Sequence, residues 1–233
     1  MSKLAQLLAE RFQLLVSLPQ NRPELALAAV ESGANAIKVH LNCHHFASGT
    51  TFGSWSEERS KIREILAAVN VPVGIVTGDT TQPTLEEMHE IVAADFDFWD
   101  LFANHTPPEW LQLPIGRMVA VDDHWDPQLM AGLHGLGVQI IESSIIPKTS
   151  YRTKLNAVDL VNYQRLVRSS APMPVVVPTQ KAVDPGQVSF LQKIGASGLV
   201  IGAVVTGLDE ASLRSATSRF AAEIARLPTE LPV

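Results

Sequence analysis

The chain has 233 residues, of which 46% are hydrophobic and 18% are charged, and its formal net charge is −6 at pH 7. This composition can bury a core, which excludes long-range disorder, and the acidic balance argues against nucleic acid and against an anionic membrane surface as partners. The single cysteine, Cys43, excludes an intrachain disulfide and a cysteine cluster for zinc, so a cytoplasmic location is the default expectation.

Short β-branched apolar runs alternate with amphipathic stretches along the chain, and this pattern predicts alternating strands and helices. The predicted strands are, in chain order, Phe12–Leu18, Asn35–Leu41, Val71–Thr77, Phe96–Phe102, Arg117–Asp122, Val138–Ser144, Pro174–Thr179 and Gly198–Val204. The predicted helices are Arg22–Ser32, Ser56–Val69, Thr84–Ala94, Pro127–Leu136, Asn156–Ser169, Pro185–Ile194 and Glu210–Leu227. The segment HTPPEWLQLP, after the fourth strand, allows only a short helical turn.

One sequence pattern, in which the end of a helix is followed by a glycine and then by a buried strand, recurs in ESGANAIKVH, HGLGVQIIES and QKIGASGLVIG. Such alternation implies parallel strands joined by right-handed crossovers. Eight units in this length favour the α/β class and a closed (β/α)8 TIM barrel, formed by residues 1–233 as a single domain, over the alternative of an open doubly wound sheet. No apolar run approaches the ~18 residues of a membrane span.

Alternation of side chains within each strand predicts which polar residues face the barrel interior. These residues lie late in their strands, at the C-terminal mouth where this fold performs its chemistry. We therefore predict a catalytic set made of Lys38, His40, Asp100, Asp122 and Glu142. In the seventh strand, Thr179 and Lys181 share parity with Val175 and Val177. A lysine–carboxylate network that only stabilises the barrel is the alternative interpretation.

The loop NCHHFASGTTFGSW follows the second strand and is longer than the usual connection of about 2–6 residues. Long loops of this kind are often lids or binding loops. The loop carries His44 and His45 next to Cys43. We therefore predict a lid that closes over a ligand, with an ordered surface loop as the alternative.

The segment Met173–Gly207, MPVVVPTQKAVDPGQVSFLQKIGASGLVIGAVVTG, resembles the phosphate-binding superfamily of (β/α)8 barrels. That group includes thiamine-phosphate synthase, N-acetylmannosamine-6-phosphate epimerase and the tryptophan-pathway barrels. The resemblance implies that backbone N–H groups at Gly202 and Ala203 bind a phosphate at a helix N-terminus. The chain departs from the family after the seventh strand, where Thr179 and Lys181 stand in place of glycines. The Thr179 hydroxyl and the Lys181 charge would then bind the phosphate in place of the backbone N–H groups that the family has there.

Metal binding is a competing interpretation. Nitrogen and oxygen ligands for a divalent ion are available from His40, His44, His45, Asp100, Asp122, His124 and Glu142. The chain lacks the H-x-H spacing at a first-strand end that metal-dependent hydrolase barrels show. We therefore expect no cofactor, and a divalent metal remains the alternative.

Together these features predict a lyase or isomerase acting on a small phosphorylated or carboxylated metabolite. One acid–base group would be Lys38 or His40, and the other would be a carboxylate. The reaction would be a proton transfer next to a carbonyl, or it would proceed through a Schiff base on the lysine. A non-catalytic ligand-sensing barrel and a metal-dependent hydrolase are the alternatives. The expected partner is a small anionic metabolite rather than nucleic acid or membrane, and small barrels often form homodimers through their helices.

Overall fold

Eight parallel strands close into a barrel in the computed structural model, which describes residues 2–229. The strands are β1 Gln13–Ser17, β2 Ala36–His40, β3 Val73–Val76, β4 Phe98–Phe102, β5 Gly116–Val121, β6 Ile140–Ser143, β7 Val175–Pro178 and β8 Gly198–Ile201. The helices are α1 Lys3–Glu10, α2 Pro23–Glu31, α3 Trp55–Ala68, α4 Leu85–Ala93, α5 Pro127–Gly135, α6 Ala157–Ser170, α7 Val188–Lys193, α8 Ala203–Thr206 and α9 Glu210–Ile224. After β4 the chain forms only short 3-10 turns, Ala103–His105 and Pro108–Gln112.

Each strand pairs with its neighbours in sequence, and the sheet closes where β1 pairs with β8. In this closing pair Gln13 lies opposite Gly198, and Leu15 lies opposite Val200. The predicted α/β fold, a (β/α)8 barrel of parallel strands, is confirmed. The alternative of an open sheet is wrong, because an open sheet would leave β1 and β8 unpaired at its edges.

The lower half of the barrel interior is apolar. Buried side chains from seven strands meet there: Leu15, Ala36, Phe98, Met118, Ile140, Val176 and Val200. The remaining strand, β3, contributes Gly74, where an added Cβ would lie 2.0 Å from the Phe98 ring. The glycine therefore leaves the space that the phenyl ring fills. A separate core, which includes Val16, Ile37 and Ile75, packs between the sheet and the helices.

Helix α1, which the sequence analysis did not predict, closes the bottom of the barrel. Leu4, Ala5 and Leu8 join the interior apolar cluster from below. The Asp97 carboxylate accepts hydrogen bonds from the Lys3 and Leu4 N–H groups at 2.6 and 2.9 Å, which satisfies free donors of the first turn. Within residues 2–229, α1 therefore closes the lower end, and the interior opens at the C-terminal mouth.

Two elements at that mouth differ from the predictions. The loop after β2 contains a two-stranded antiparallel hairpin, Cys43–His45 with Thr50–Phe52. The last barrel strand ends at Ile201 instead of continuing to Val204, and helix α8 follows it directly. The apolar residues from Ala203 onward fit a helical turn as well as a strand, so the sequence did not mark this boundary. None of the helices described between residues 2 and 229 is long and apolar enough to cross a membrane.

Candidate active site

A lysine and two carboxylates meet above the apolar layer of the barrel. Lys38 on β2, Asp100 on β4 and Glu142 on β6 each follow an inward apolar residue by two positions, so the strand period turns them inward as well. The Lys38 Nζ donates to Asp100 Oδ2 at 2.5 Å and also to Glu142 Oε2. All three residues are buried, with exposed fractions of 3%, 2% and 7%. Three of the five predicted catalytic residues therefore form one ion-pair cluster.

The charge balance of this cluster controls its protonation. Burial alone would lower the pKa of Lys38, but the adjacent Asp100 and Glu142 outweigh burial and hold the pKa above its usual value. Burial and the neighbouring Glu142 raise the pKa of Asp100 to about 7, although Lys38 acts in the opposite direction. One ammonium cannot compensate two buried carboxylates fully, so Asp100 holds a proton up to near-neutral pH. The Asp100 Oδ1 atom has no hydrogen-bond partner within the described part of the chain.

His40 lies beside the cluster as a buried, neutral imidazole. Its Nε2 is 3.2 Å from the Ser17 Oγ, and its ring packs against those of Phe52 and His45 at centroid distances of 4.7 and 4.8 Å. Burial, together with His45 and Lys38, lowers the pKa of His40 well below its usual value. Its Nδ1 is buried and unpaired among residues 2–229. His40 can therefore donate or accept a hydrogen bond with a substrate, but it does not carry charge at neutral pH.

A cavity of about 400 Å³ opens above these residues at the C-terminal mouth, and Lys38, His40, Asp100 and Glu142 line its floor. This size suits a small metabolite. The lining from β7, β8 and the loops after them is uncharged: Pro178, Thr179, Gln180, Val200 and Gly202. The opposite rim, after β3 and β5, carries Asp79, Asp122 and Asp123. The lining is therefore acidic after β3 and β5 and uncharged after β7 and β8, and Lys148, in the loop after β6, adds a cation between these two sides.

The hairpin after β2 covers part of this cavity. His44 and His45 both line it, but the His44 Nδ1 lies 3.0 Å from the Thr51 Oγ1 within the exposed part of the hairpin. His45 turns inward, and burial together with Lys38 lowers its pKa to about 4. At the hairpin tip, Phe46 packs edge-on against Tyr151, with ring centroids 5.2 Å apart. The predicted lid residues thus lie over the cavity in an ordered hairpin, and its opening stays a prediction.

Asp122, the remaining predicted catalytic residue, does not reach the lysine cluster. Its carboxylate lies on the rim, 42% exposed, where Oδ1 accepts from the His124 N–H at 2.9 Å. Donor atoms of Asp122, Asp123 and His124 lie within 4.8 Å of one another. Of the other candidate metal ligands, His44 and His45 lie on the hairpin. His40, Asp100 and Glu142 lie on the floor around Lys38, whose charge a metal ion there would have to displace. The seven candidate ligands therefore do not converge on one centre.

The two residues predicted to complete an anion site after β7 point in different directions. Thr179 lines the cavity, and its Oγ1 accepts the Gly202 N–H at 2.9 Å. Lys181 turns away, and its Nζ donates to the Thr153 Oγ1 at 2.9 Å and lies 3.3 Å from the Asp159 Oδ2. The predicted face of this strand is wrong: Val176 faces the interior, while Val175 and Val177 pack against the helices. Because β7 reads VVVP, apolar alternation carried no information about its inward face.

Of the two backbone N–H groups predicted to bind phosphate, at Gly202 and Ala203, one already has a hydrogen-bond partner. The Gly202 N–H is bonded to Thr179, so it is engaged before any ligand arrives. Ala203 and the next residue begin α8, whose first intrahelical bonds run from Val205 and Thr206 back to the Gly202 carbonyl. The first-turn N–H of Ala203 thus has no intrahelical partner. Ala203 is buried and follows Gly202, which lines the cavity together with Thr179.

Ser17, Tyr151 and Gln180 are among the cavity residues that the sequence patterns did not predict. Ser17 has the same parity as the inward Leu15, so the rule applied to the other strands would have found it. Tyr151 lies in a long loop after β6, and Gln180 lies just beyond β7. Strand periodicity gives no information about side-chain direction in loops, so these two had no sequence signal.

No protein-family model and no curated protein matches this chain. Solved structures do match its fold. Thiamine phosphate pyrophosphorylase from Pyrococcus furiosus is 15% identical with a TM-score of 0.63, over 94% of this chain and 98% of that one. KGPDC from Streptococcus mutans is 14% identical with a TM-score of 0.64, over 93% and 98%. Phosphoribosyl anthranilate isomerase from Thermus thermophilus is 14% identical with a TM-score of 0.65, over 92% and 98%. At these identities the likeness shows the fold, and it agrees with the closed barrel of eight parallel strands.

Proposed function

We propose that this protein is an enzyme, a lyase or isomerase that transfers a proton next to a carbonyl group of a small phosphorylated or carboxylated metabolite. The observation that carries this proposal is the Lys38 ammonium held between Asp100 and Glu142 on the floor of an open cavity. A purely structural ion pair would not need to lie beneath a cavity with one carboxylate oxygen unpartnered.

Lys38 serves in this proposal as a permanent cation. Its raised pKa keeps the amine protonated, which disfavours the Schiff-base form of the chemistry, because only a neutral amine attacks a carbonyl. The ammonium has three N–H donors, and two are used by Asp100 and Glu142. The third can donate to the substrate carbonyl oxygen and stabilise the negative charge that develops there.

Asp100 serves as the proton-transfer group. With a pKa of about 7 it exists in both protonation states near neutrality, which suits a general acid–base catalyst. In the ionised form, the Asp100 carboxylate takes a proton from the carbon next to the carbonyl, and the electron pair of that C–H bond moves to the carbonyl oxygen as an enolate. If the deprotonated carbon carries a hydroxyl, the proton of that hydroxyl moves to the carbonyl oxygen, and the Asp100 carboxyl returns its own proton to the former carbonyl carbon, which completes an isomerisation. In a lyase reaction the enolate instead collapses to the carbonyl, and a group on the carbon beyond the deprotonated one departs with its electron pair while the proton stays on Asp100.

The anionic end of the substrate fits the neutral side of the cavity. There the Thr179 hydroxyl supplies a donor without a competing carboxylate in the lining from β7 and β8. The acidic rim at Asp79, Asp122 and Asp123 would repel an anion from the opposite side. A neighbouring structure, KGPDC from Streptococcus mutans, was solved in complex with a small phosphorylated ligand, which supports a ligand of this class in a barrel of this shape.

Deuterium exchange tests this proposal. Small phosphorylated ketoses and 2-keto acids are incubated with the protein in deuterated water, and incorporation next to the carbonyl is followed by NMR. We expect exchange or conversion of at least one compound by the wild type and its loss in Asp100→Asn. Binding of an anion without exchange or turnover would instead favour the ligand-sensing alternative and contradict the enzymatic proposal.

A further inference from the structure

The Gln180 side chain is bonded at both ends of its amide. Its Oε1 accepts the Ile146 N–H at 3.1 Å, and its Nε2 donates to the Tyr151 Oη at 2.7 Å. A backbone N–H can only donate, so the amide oxygen must face Ile146. The amide NH2 must then face Tyr151, and the orientation of this side chain has no ambiguity.

This orientation determines the role of the Tyr151 hydroxyl. Because its oxygen accepts from Gln180, its own hydrogen must point elsewhere. Within the described part of the chain no acceptor takes that hydrogen, and Tyr151 lines the cavity. Burial raises the pKa of the phenol, and the charge of Glu142 adds to this effect, so the hydroxyl keeps its proton at neutral pH.

Tyr151 is held in place by residues on both sides of it. Its ring packs against Phe46 of the hairpin, and the next residue, Arg152, adopts the left-handed region with φ of 64°. The Arg152 N–H donates to the Gln180 carbonyl at 2.9 Å, and its guanidinium donates to the Ala47 carbonyl at 2.6 Å. Non-glycine residues seldom adopt this conformation unless surrounding contacts hold it, and such positions cluster at ligand-binding sites.

We propose that Tyr151 is a directed hydrogen-bond donor to an oxygen of the bound metabolite, and that Gln180 is the positioning residue that sets the direction of this donation. The inference rests on the proposed function, since it requires a small ligand in the cavity. It specifies the ligand further: a carbonyl, carboxylate or hydroxyl oxygen must lie on the side of the cavity between β6 and β7. The donor is neutral, so it selects for an acceptor oxygen there and not for charge.

Binding of 2-phosphoglycolate, measured by calorimetry, tests the donor. This probe carries a phosphate for the neutral side of the cavity and a carboxylate that resembles an enolate. Tyr151→Phe removes only the hydroxyl, and we expect affinity to fall about 3- to 10-fold, the range of one net hydrogen bond. Tyr163→Phe is the matched control: Tyr163 is the other tyrosine of the chain, lies in the core on α6 and does not line the cavity, so affinity should stay at the wild-type value.

Gln180→Glu tests the positioning role. A carboxylate at this position can still accept the Ile146 N–H, but it cannot donate to Tyr151 and would accept the phenol hydrogen instead. We expect Gln180→Glu to weaken binding at least as much as Tyr151→Phe. Adding Tyr151→Phe to Gln180→Glu should then weaken binding no further, because the donor is already withdrawn. If the two effects multiply, the added charge acts independently of the tyrosine, and the positioning role is overturned.

The outcomes separate this inference from the function on which it rests. If the wild type binds neither inorganic phosphate nor 2-phosphoglycolate, the proposed function fails and the inference fails with it. If the wild type binds 2-phosphoglycolate and Tyr151→Phe binds it equally well, only the donor role of Tyr151 is overturned. Weaker binding by Tyr151→Phe, unchanged binding by Tyr163→Phe and a non-additive double variant support the inference.

Discussion

The Lys38 ammonium and the Asp100 carboxylate are 62 residues apart in the chain, yet Nζ and Oδ2 lie 2.5 Å apart in the barrel interior. Both groups are almost fully buried, with Glu142 as the third member of the cluster. Removing such charges from water costs several kcal/mol each, which mutual attraction offsets only while all partners are present. Stability and catalysis are therefore coupled at this cluster, and variants must be chosen to separate them.

Lys38→Met should destabilise the protein by about 3–5 kcal/mol at neutral pH, because it leaves two buried carboxylates without a cation. Urea unfolding followed by circular dichroism measures the loss. Adding Asp100→Asn to Lys38→Met should restore part of the stability, because one of the uncompensated charges is then removed. A Lys38→Met protein as stable as the wild type would mean that the cluster is better solvated than its burial indicates.

Asp100→Asn should reduce deuterium exchange into a substrate by about 10²- to 10⁴-fold, the usual contribution of a general acid–base group. In the wild type, exchange should increase with pH through an apparent pKa near 7, as Asp100 becomes ionised and able to accept a proton. Asp122→Asn is the matched control, since this carboxylate is on the rim and outside the lysine cluster. Equal losses in the two variants would contradict the assignment of Asp100.

Stability should also depend on pH through Asp100. Its pKa is about 7 in the folded protein against an ordinary value of 3.8. Between these values the unfolded chain releases the proton and the folded chain keeps it. The contribution of Asp100 to the free energy of unfolding therefore falls as pH rises between these two pKa values, by up to about 1.4 kcal/mol per pH unit.

Comparison with Asp100→Asn isolates this contribution. His40 and His45, whose pKa values are lowered, change stability in the opposite direction, but they are present in both proteins. Urea unfolding of both proteins is measured at intervals from about pH 4 to about pH 8, which spans the titration. The wild-type stability minus that of Asp100→Asn should decrease with pH up to about 7 and then level off. Parallel pH profiles would show that Asp100 titrates normally.

Substitution of Thr179 should change phosphate affinity, whereas substitution of Lys181 should change thermal stability. Thr179→Val removes a hydroxyl from the cavity and should weaken binding of inorganic phosphate about 3- to 10-fold, with Thr179→Ser close to wild type. Lys181→Met should leave phosphate affinity unchanged. It should instead lower the melting temperature, because Asp159 loses its buried cationic partner. Calorimetry and thermal unfolding together decide this; a loss of phosphate affinity in Lys181→Met would place the lysine in the anion site after all.

The architecture and the inward direction of the reactive groups follow from patterns in the amino-acid sequence. Eight alternating units encoded the barrel, and the two-residue period of β2, β4 and β6 turned Lys38, Asp100 and Glu142 inward. This was predictable because secondary structure and strand parity depend on neighbouring residues. Where the alternation was missing, as in the valines of β7, the inward face could not be derived.

Which of these groups contact one another, and which residues surround them, depends on the three-dimensional fold. Asp122 also follows an inward strand position, yet it lies on the rim, since the chain leaves the barrel before reaching it. Tyr151 and Gln180 come together from separate loops, and the hairpin reaches them from β2. Contacts between loops depend on the path of the whole chain through space, whereas the patterns in the sequence report on a few residues at a time.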